Sequence, residues 1–441
     1  MACQLDLFCS RTEAELFHDH QQSGFFSLLV QLPERKCQSS HLLRDLPRVL
    51  DMISPNRDTW ISQAEFTRPN RRVVNLLRIG LLFADLDTYR MSWAAGRTPE
   101  ELASSVLYHC LQEGIPAPSI LIYSGRGIQA KWLLDVALPR QALPRWNACQ
   151  RYLVDRLTMI GADPAAKDAS RVLRLVDTIN SKSGEICRVV HVENGHDSTP
   201  IRYNFEYLAE TLLPAARWEI EQQHRARADR RQLKLIPGTK TDNLRGFNGR
   251  QLAWDRLEDL RKLSELRGGV PEGERMKHLF WRLNFLMLSG ATHSGQMYHE
   301  ASALAAEVAP GWNYRSRELM TLYAKAKQFE AGERVEFGGK EFPPLYTPRN
   351  NTMISLFQIT DLEQRALRTL ISGETAAKRH AERERMRRRA AGAVDRATYL
   401  EAASNKQIQA QSLKRKGLSV RAIALQMEVS AMAVSRYLKP H

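Results

Sequence analysis

The chain has 441 residues, 43% of them hydrophobic and 26% charged, with 64 Lys and Arg against 49 Asp and Glu for a formal charge of +15. That length predicts about three domains, the composition excludes a collagen-like or disordered chain, and no apolar run reaches the ~18 residues of a membrane span. The six cysteines form no C-x-x-C pair, which argues against a zinc ribbon or a disulfide framework.

The N-terminal MACQLDLFCSRTEAE lacks the basic-then-apolar layout of a secretory signal, so a cytoplasmic location is expected. The charge is unevenly placed. Residues 1–216 are neutral and 251–360 carry +1, whereas 217–250 carry +5 and 361–441 carry +9. Such clustering points to a polyanionic partner met by particular segments.

Residues 1–70 mix short helical patterns with loops and offer little chemistry. The stretch VVNLLRIGLLFADLD, Val73 to Asp87, predicts a buried strand entering a turn. Thr98–Gly114 predicts a helix, with Thr98 and Glu101 as a capping box and an apolar stripe through Leu102, Val106, Leu107, Cys110 and Leu111. Strands follow at Ser119–Tyr123 and Ala130–Leu134 around a Ser-Gly-Arg-Gly turn, then a helix over 144–160 and two short strands between Arg171 and Val192. This alternation predicts an α+β or α/β domain around a mixed sheet. Residues 217–250 read as a basic linker and 251–330 as a helical bundle. Thr360 to Glu363 form a second capping box, expected to open a helix through Ile371, and 374–391 form a charged helix without an apolar face.

Asp85 and Asp87 are the sharpest chemical feature. Alternate residues at a strand end face one way, so two carboxylates sit side by side and repel unless a cation neutralises them. A hard divalent ion with oxygen ligands answers that need, as in phosphoryl transfer. Ser124-Gly125-Arg126-Gly127, with Gln129 and Lys131 on the returning strand, supplies glycines for close approach to a phosphate and positive charge beside it. Further on, Asp163, Asp168 and Asp177 compete as a third acid, with Arg171, Arg174, Asn180 and Lys182 following. Asp163 is favoured because a short connection returns it beside Asp85. Trp132 either stacks a base or packs in the core. No His-x-His occurs, which leaves a nicking enzyme without its metal ligands.

In this order the motifs resemble the archaeo-eukaryotic primase superfamily, and within it the RepB-like replication primases of plasmids and mobile elements. The likeness covers roughly residues 75–190: Phe83–Asp87, Ser124–Trp132, and Asp163 through Lys182. It implies a primase-type mixed-sheet catalytic domain; with the helical patterns after residue 250 and the tail described next, the expected fold is α+β, that domain followed by an all-helical domain and a C-terminal helix-turn-helix. It also implies that Asp85, Asp87 and Asp163 bind Mg2+ or Mn2+ and catalyse nucleotidyl transfer. Ser124, Arg126, Gln129, Lys131, Arg171, Arg174, Asn180 and Lys182 would then contact the nucleotide. Two positions depart from the family pattern: Gln129 stands where His is usual, and Leu175-Val176-Asp177-Thr178 replaces L-P-G-T.

Residues 404–438 resemble the helix-turn-helix of resolvase-type DNA-binding domains, with Ile423, Ala424, Val429, Val434 and Leu438 as its core. Ser430, Met432, Ser435 and Arg436 would face the groove, and Arg387, Arg388 and Arg389 the phosphates. The expected organisation is a catalytic domain over 1–216, a linker over 217–250, a helical accessory domain over 251–345, a basic helical region over 346–403 and a DNA reader over 404–441. The expected activity is metal-dependent primer synthesis on single-stranded DNA from nucleoside triphosphates. Origin duplex DNA and a replicative helicase are candidate partners, and no membrane is. The alternative is a non-catalytic origin- or operator-binding initiator whose primase domain has decayed.

Overall fold

The computed structural model describes residues 11–195, 197, 199–213, 242–392 and 396–439. Residues 217–241 of the expected linker lie outside the described residues. The chain divides into two compact units, Met1–Met353 with Ala366–Leu370, and Ile354–Arg365 with Ile371–His441. The segments expected as catalytic and helical domains therefore belong to one unit.

The first unit is built on a nine-stranded sheet in the order β11-β6-β7-β5-β4-β1-β3-β8, with β2 paired to β1. The strands are β1 (Phe25–Gln31), β2 (Lys36–Leu42), β3 (Thr59–Ser62), β4 (Glu65–Phe66), β5 (Leu76–Leu86), β6 (Ile120–Tyr123), β7 (Ile128–Pro139), β8 (Val172–Arg174) and β11 (Arg188–Val192). A small ribbon, β9 (Ile179–Asn180) with β10 (Glu185–Ile186), stands apart. Each named strand pair is antiparallel, where the alternation of elements predicts a mixed sheet. Residues 1–70, unremarkable as sequence, contribute four of these strands.

β5 reads LLRIGLLFADL, almost continuously apolar, because it lies deep in the sheet with Leu81, Leu82, Phe83 and Ala84 fully buried. Helices α1 (Leu46–Asp51), α2 (Pro99–Gln112), α3 (Leu143–Arg156) and α4 (Phe205–Leu212) complete this part. The Thr98–Glu101 capping box is present: the Thr98 hydroxyl accepts the Glu101 N–H, and the Glu101 carboxylate accepts the Thr98 N–H.

The unit continues with helices α5 (Asp242–Leu266), α6 (Arg275–Ser289), α7 (Met297–Val308) and α8 (Met320–Glu330), and a hairpin of β12 (Val335–Phe337) and β13 (Lys340–Phe342). The α6 stripe Leu279, Leu283, Leu286 and Met287 is core, as its spacing predicts. The bundle grips the root of β5. The buried Glu300 carboxylate accepts the N–H groups of Val73 and Val74 at 3.0 and 3.1 Å, and Arg261 donates to the Val74 carbonyl at 2.7 Å. Burial pushes the Glu300 carboxyl up to about 7 despite these bonds.

In the second unit, the Thr360–Glu363 capping box forms but its helix, α9, ends at Asp361–Gln364. The reason lies just downstream, where the Asp259 carboxylate accepts the N–H groups of Arg368, Thr369 and Leu370. Those donors are thereby withdrawn from any continuing helix. α10 (Gly373–Ala390) buries no side chain. α11 (Arg396–Arg415), α12 (Val420–Gln426) and α13 (Ala431–Tyr437) enclose a small core of Ala410, Leu413, Ile423 and Val434, with Val429 and Leu438 packed against it. Ser419 and Ser430 cap α12 and α13. Among the described residues no helix is long and apolar enough to cross a membrane.

Candidate active site

The acids are assembled along one edge of β5. β7 pairs the other edge in the register Asp85–Gln129 and Leu86–Ile128. Backbone groups on the open edge must still find partners, and α3 supplies them. The Trp146 indole N–H donates to the Leu81 carbonyl at 2.9 Å, and the buried Gln150 amide both accepts from and donates to Phe83. One step further, the chain leaving α3 takes over: Asp163 N–H donates to the Asp85 carbonyl at 2.8 Å, and Asp87 N–H to the Gly161 carbonyl at 2.7 Å. The backbone thus delivers Asp163 beside Asp85 and Asp87.

Asp85 shows the electrostatic consequence. Burial, then the charges of Asp87 and Asp163, push its carboxyl from 3.8 up to about 6, only partly offset by Arg171 and Arg174. Asp87 pairs with Arg90 at 3.3 Å, and the Asp163 carboxylate accepts the Ala165 N–H. The rival third acids lie in other roles. Asp168 binds the Ser170 N–H and hydroxyl and pairs with Arg171 at 3.1 Å. Asp177 occupies a left-handed turn whose N–H donates to the Cys187 carbonyl. Among the described residues no three His, Cys, Asp or Glu side chains are gathered closely enough to hold a metal ion as they stand. The donor set is nonetheless suited to one, with hard carboxylate oxygens whose mutual repulsion the chain offsets only in part at Asp85.

The Ser-Gly-Arg-Gly turn packs directly on the acid strand. A Cβ on Gly127 would run into the Leu86 carbonyl oxygen, between the two acids. This glycine therefore serves contact between motifs, whereas the sequence suggests an approach to phosphate. Ser124 closes the turn, its hydroxyl and N–H bonding Gly127. Arg126 lies 4.3 Å over the Tyr89 ring, just past the acids. Gln129 is buried with its Oε1 lacking a hydrogen-bond partner. Lys182 is exposed.

Several expected nucleotide contacts prove to have internal partners. Lys131 is fully buried and paired with Glu13 at 2.7 Å, out of reach of a ligand, because an element from the first twenty residues covers that strand. Arg174 binds Asp58 and Asn180, and Asn180 binds the Ser124 carbonyl. Arg171 bonds the Ala165 carbonyl as well as Asp168. Trp132 is core, its indole donating to the Pro116 carbonyl. In the second unit Ser430, Met432, Ser435 and Arg436 are exposed on or beside α13, and Arg387, Arg388 and Arg389 are exposed on α10, where Arg387 pairs with Glu384.

No family model matches the chain. It is 28% identical over 323 residues to a replication protein of Clostridium perfringens, covering 73% of this chain and 70% of that one. Among solved structures, the primase-polymerase domain of cyanophage S-2L gives a TM-score of 0.33 at 16% identity, covering 48% of this chain and 97% of that chain. The primase RepB′ gives 0.27 at 15%, covering 73% and 94%. Structural likeness at those scores is too slight to decide anything. The chain is thus similar in sequence to a replication protein, and the order of its motifs resembles that of the archaeo-eukaryotic primases.

Proposed function

We propose that this chain is a replication primase, a nucleotidyltransferase that makes primers on single-stranded DNA. The observation that carries this reading is the convergence of Asp163 on Asp85 and Asp87, with the Asp85 carboxyl pushed up to about 6 by burial and its two neighbours. The 3′-oxygen of one nucleotide forms a bond to the α-phosphorus of the next as the α–β phosphoanhydride breaks and pyrophosphate leaves. Asp85, Asp87 and Asp163 would hold Mg2+ or Mn2+, which when bound activates the hydroxyl and neutralises the leaving charge. Arg126, Arg171 and Lys182 supply positive charge toward the triphosphate, and the Ser124–Gly127 turn fixes Arg126 against the acid strand. In the tail, Ser430, Met432, Ser435 and Arg436 present a DNA-reading face, and Arg387–Arg389 contact phosphates.

One observation favours the second reading, a non-catalytic initiator with a decayed site. Gln129 stands where the family has His, with its side-chain oxygen buried and unbonded. Nucleotide incorporation on a single-stranded template separates the two readings. The primase reading predicts primers from the wild type and none from the Asp85→Ala, Asp87→Ala double variant; a wild type inert with either metal would favour the initiator.

A further inference from the structure

Asp58 lies just ahead of β3, in the stretch of sequence that promises least chemistry, and it is buried. Its carboxylate accepts Arg174 Nη1 at 2.5 Å and the Ser181 N–H at 3.2 Å. Burial pushes this carboxyl up, but the hydrogen bonds from Ser181 and Arg174 outweigh it and hold the group below its usual range. Arg174 also lies 4.7 Å over the Trp60 ring, and its Nη2 donates to Asn180 Oδ1 at 3.0 Å. Asn180 Oδ1 accepts the Lys182 N–H as well, and its Nδ2 donates to the Ser124 carbonyl at 2.8 Å. The same residue packs so tightly on the turn that a Cβ on Gly125 would lie 2.6 Å from the Asn180 Cβ.

A continuous chain therefore runs Asp58–Arg174–Asn180–Ser124. It grips the Ser-Gly-Arg-Gly turn from one side while Leu86 abuts Gly127 from the other. These links are part-buried, and the two made by the Arg174 guanidinium are charge-assisted, which makes them the stronger and more directional members of the chain. The only residue of the turn with a long cationic side chain is Arg126, held against Tyr89 beside the acids.

We propose that Asp58 is a positioning residue for the nucleotide site, acting through Arg174 and Asn180 to set the Ser124–Gly127 turn and, with it, Arg126. Arg174 and Asn180 then serve as relays within the protein, not as direct grips on the triphosphate. This inference rests on the primase reading for its kinetic consequence, but its structural consequence does not.

The test uses the full-length Asp58→Asn variant, which keeps an acceptor for Ser181 and removes the charge facing Arg174. Hydrogen–deuterium exchange is expected to rise in the peptide covering Ser124–Ile128 while β5 stays protected, a result that needs no catalytic activity. In primer synthesis the KM for nucleoside triphosphate is expected to rise on the order of tenfold with kcat within about threefold. Asp58→Glu should recover part of the lost affinity. Unchanged exchange at Ser124–Ile128 would overturn the proposal, as would a lowered melting temperature with KM unaltered. If the wild type makes no primers but exchange at the turn still rises, the positioning chain stands and the primase reading falls.

Discussion

Replacing Asp85 by Asn should make the folded chain more stable and leave it inactive. The carboxyl titrates at about 6 instead of 3.8, because burial, Asp87 and Asp163 all oppose its charge. Each tenfold change in proton affinity is worth about 1.4 kcal/mol, so ionising Asp85 in the folded state costs up to about 3 kcal/mol. Asp85 is partly reached by solvent, and screening brings the expected gain to about 1–3 kcal/mol. The sign follows from linkage: with the folded value raised, the native chain binds the proton more tightly than the unfolded one. The carboxyl's destabilising effect therefore develops as pH rises from about 4 to about 6 and is complete above that. Thermal unfolding of wild type and Asp85→Asn without divalent metal should show little difference at pH 4 and a clear advantage for the variant at pH 7.5, a matter of several degrees. Manganese at a hundredfold its Kd should then add about 2.7 kcal/mol to the wild type and much less to the variant. A variant less stable than wild type at pH 7.5, or an equal response to manganese, would refute the reasoning.

Affinity for manganese should weaken as pH drops through about 6, as a proton competes with the cation for Asp85; a manganese Kd flat from pH 7.5 to 5.5 would contradict this. Lys131→Met should cost about 3–5 kcal/mol in denaturant unfolding by stranding buried Glu13. The Lys131→Met, Glu13→Leu double variant should recover most of it and still incorporate nucleotide, and loss of nucleotide affinity in that double variant would return Lys131 to the site. Gly127→Ala should lower stability by about 1–3 kcal/mol through its clash with the Leu86 carbonyl and reduce incorporation; wild-type behaviour in both assays would show that the turn does not press on the acid strand. Removing residues 371–441 should flatten the salt dependence of duplex DNA binding, by about one unit of slope for each phosphate that the tail neutralises. An unaltered slope would place the DNA-binding residues elsewhere.

The parts legible in the sequence are those set by local rules. The strand ending in Asp85 and Asp87 declares itself through an apolar run and period-two geometry, and the α2 start through its Thr98–Glu101 box. The Asp163 segment is reachable because a short connection can return it. What stays hidden depends on partners far away in the chain. Lys131 sits on a strand whose period gives its face but not what covers that face, and its partner Glu13 is 118 residues away. Asp58 meets Arg174 across 116 residues, and nothing near it marks it as more than a loop acid. The edge of β5 is completed by Trp146 and Gln150, which sequence reads only as one apolar and one polar position on a helix. The box at Thr360 overstates its helix because Asp259 captures the following amides from 109 to 111 residues away.

The +15 charge also gains a sharper meaning. The acid cluster lies in a stretch with no net charge, where Arg171 and Arg174 are its local counterweights, while the exposed arginines of α10 belong to the second unit. In the proposed reading, chemistry and DNA reading fall to different parts of the chain.

The most direct test of the central claim is incorporation of labelled nucleoside triphosphate on a single-stranded DNA template with magnesium or manganese. The account predicts short metal-dependent products from the wild type and none from the Asp85→Ala, Asp87→Ala double variant folded to the same extent. Products that persist undiminished in that variant would contradict it.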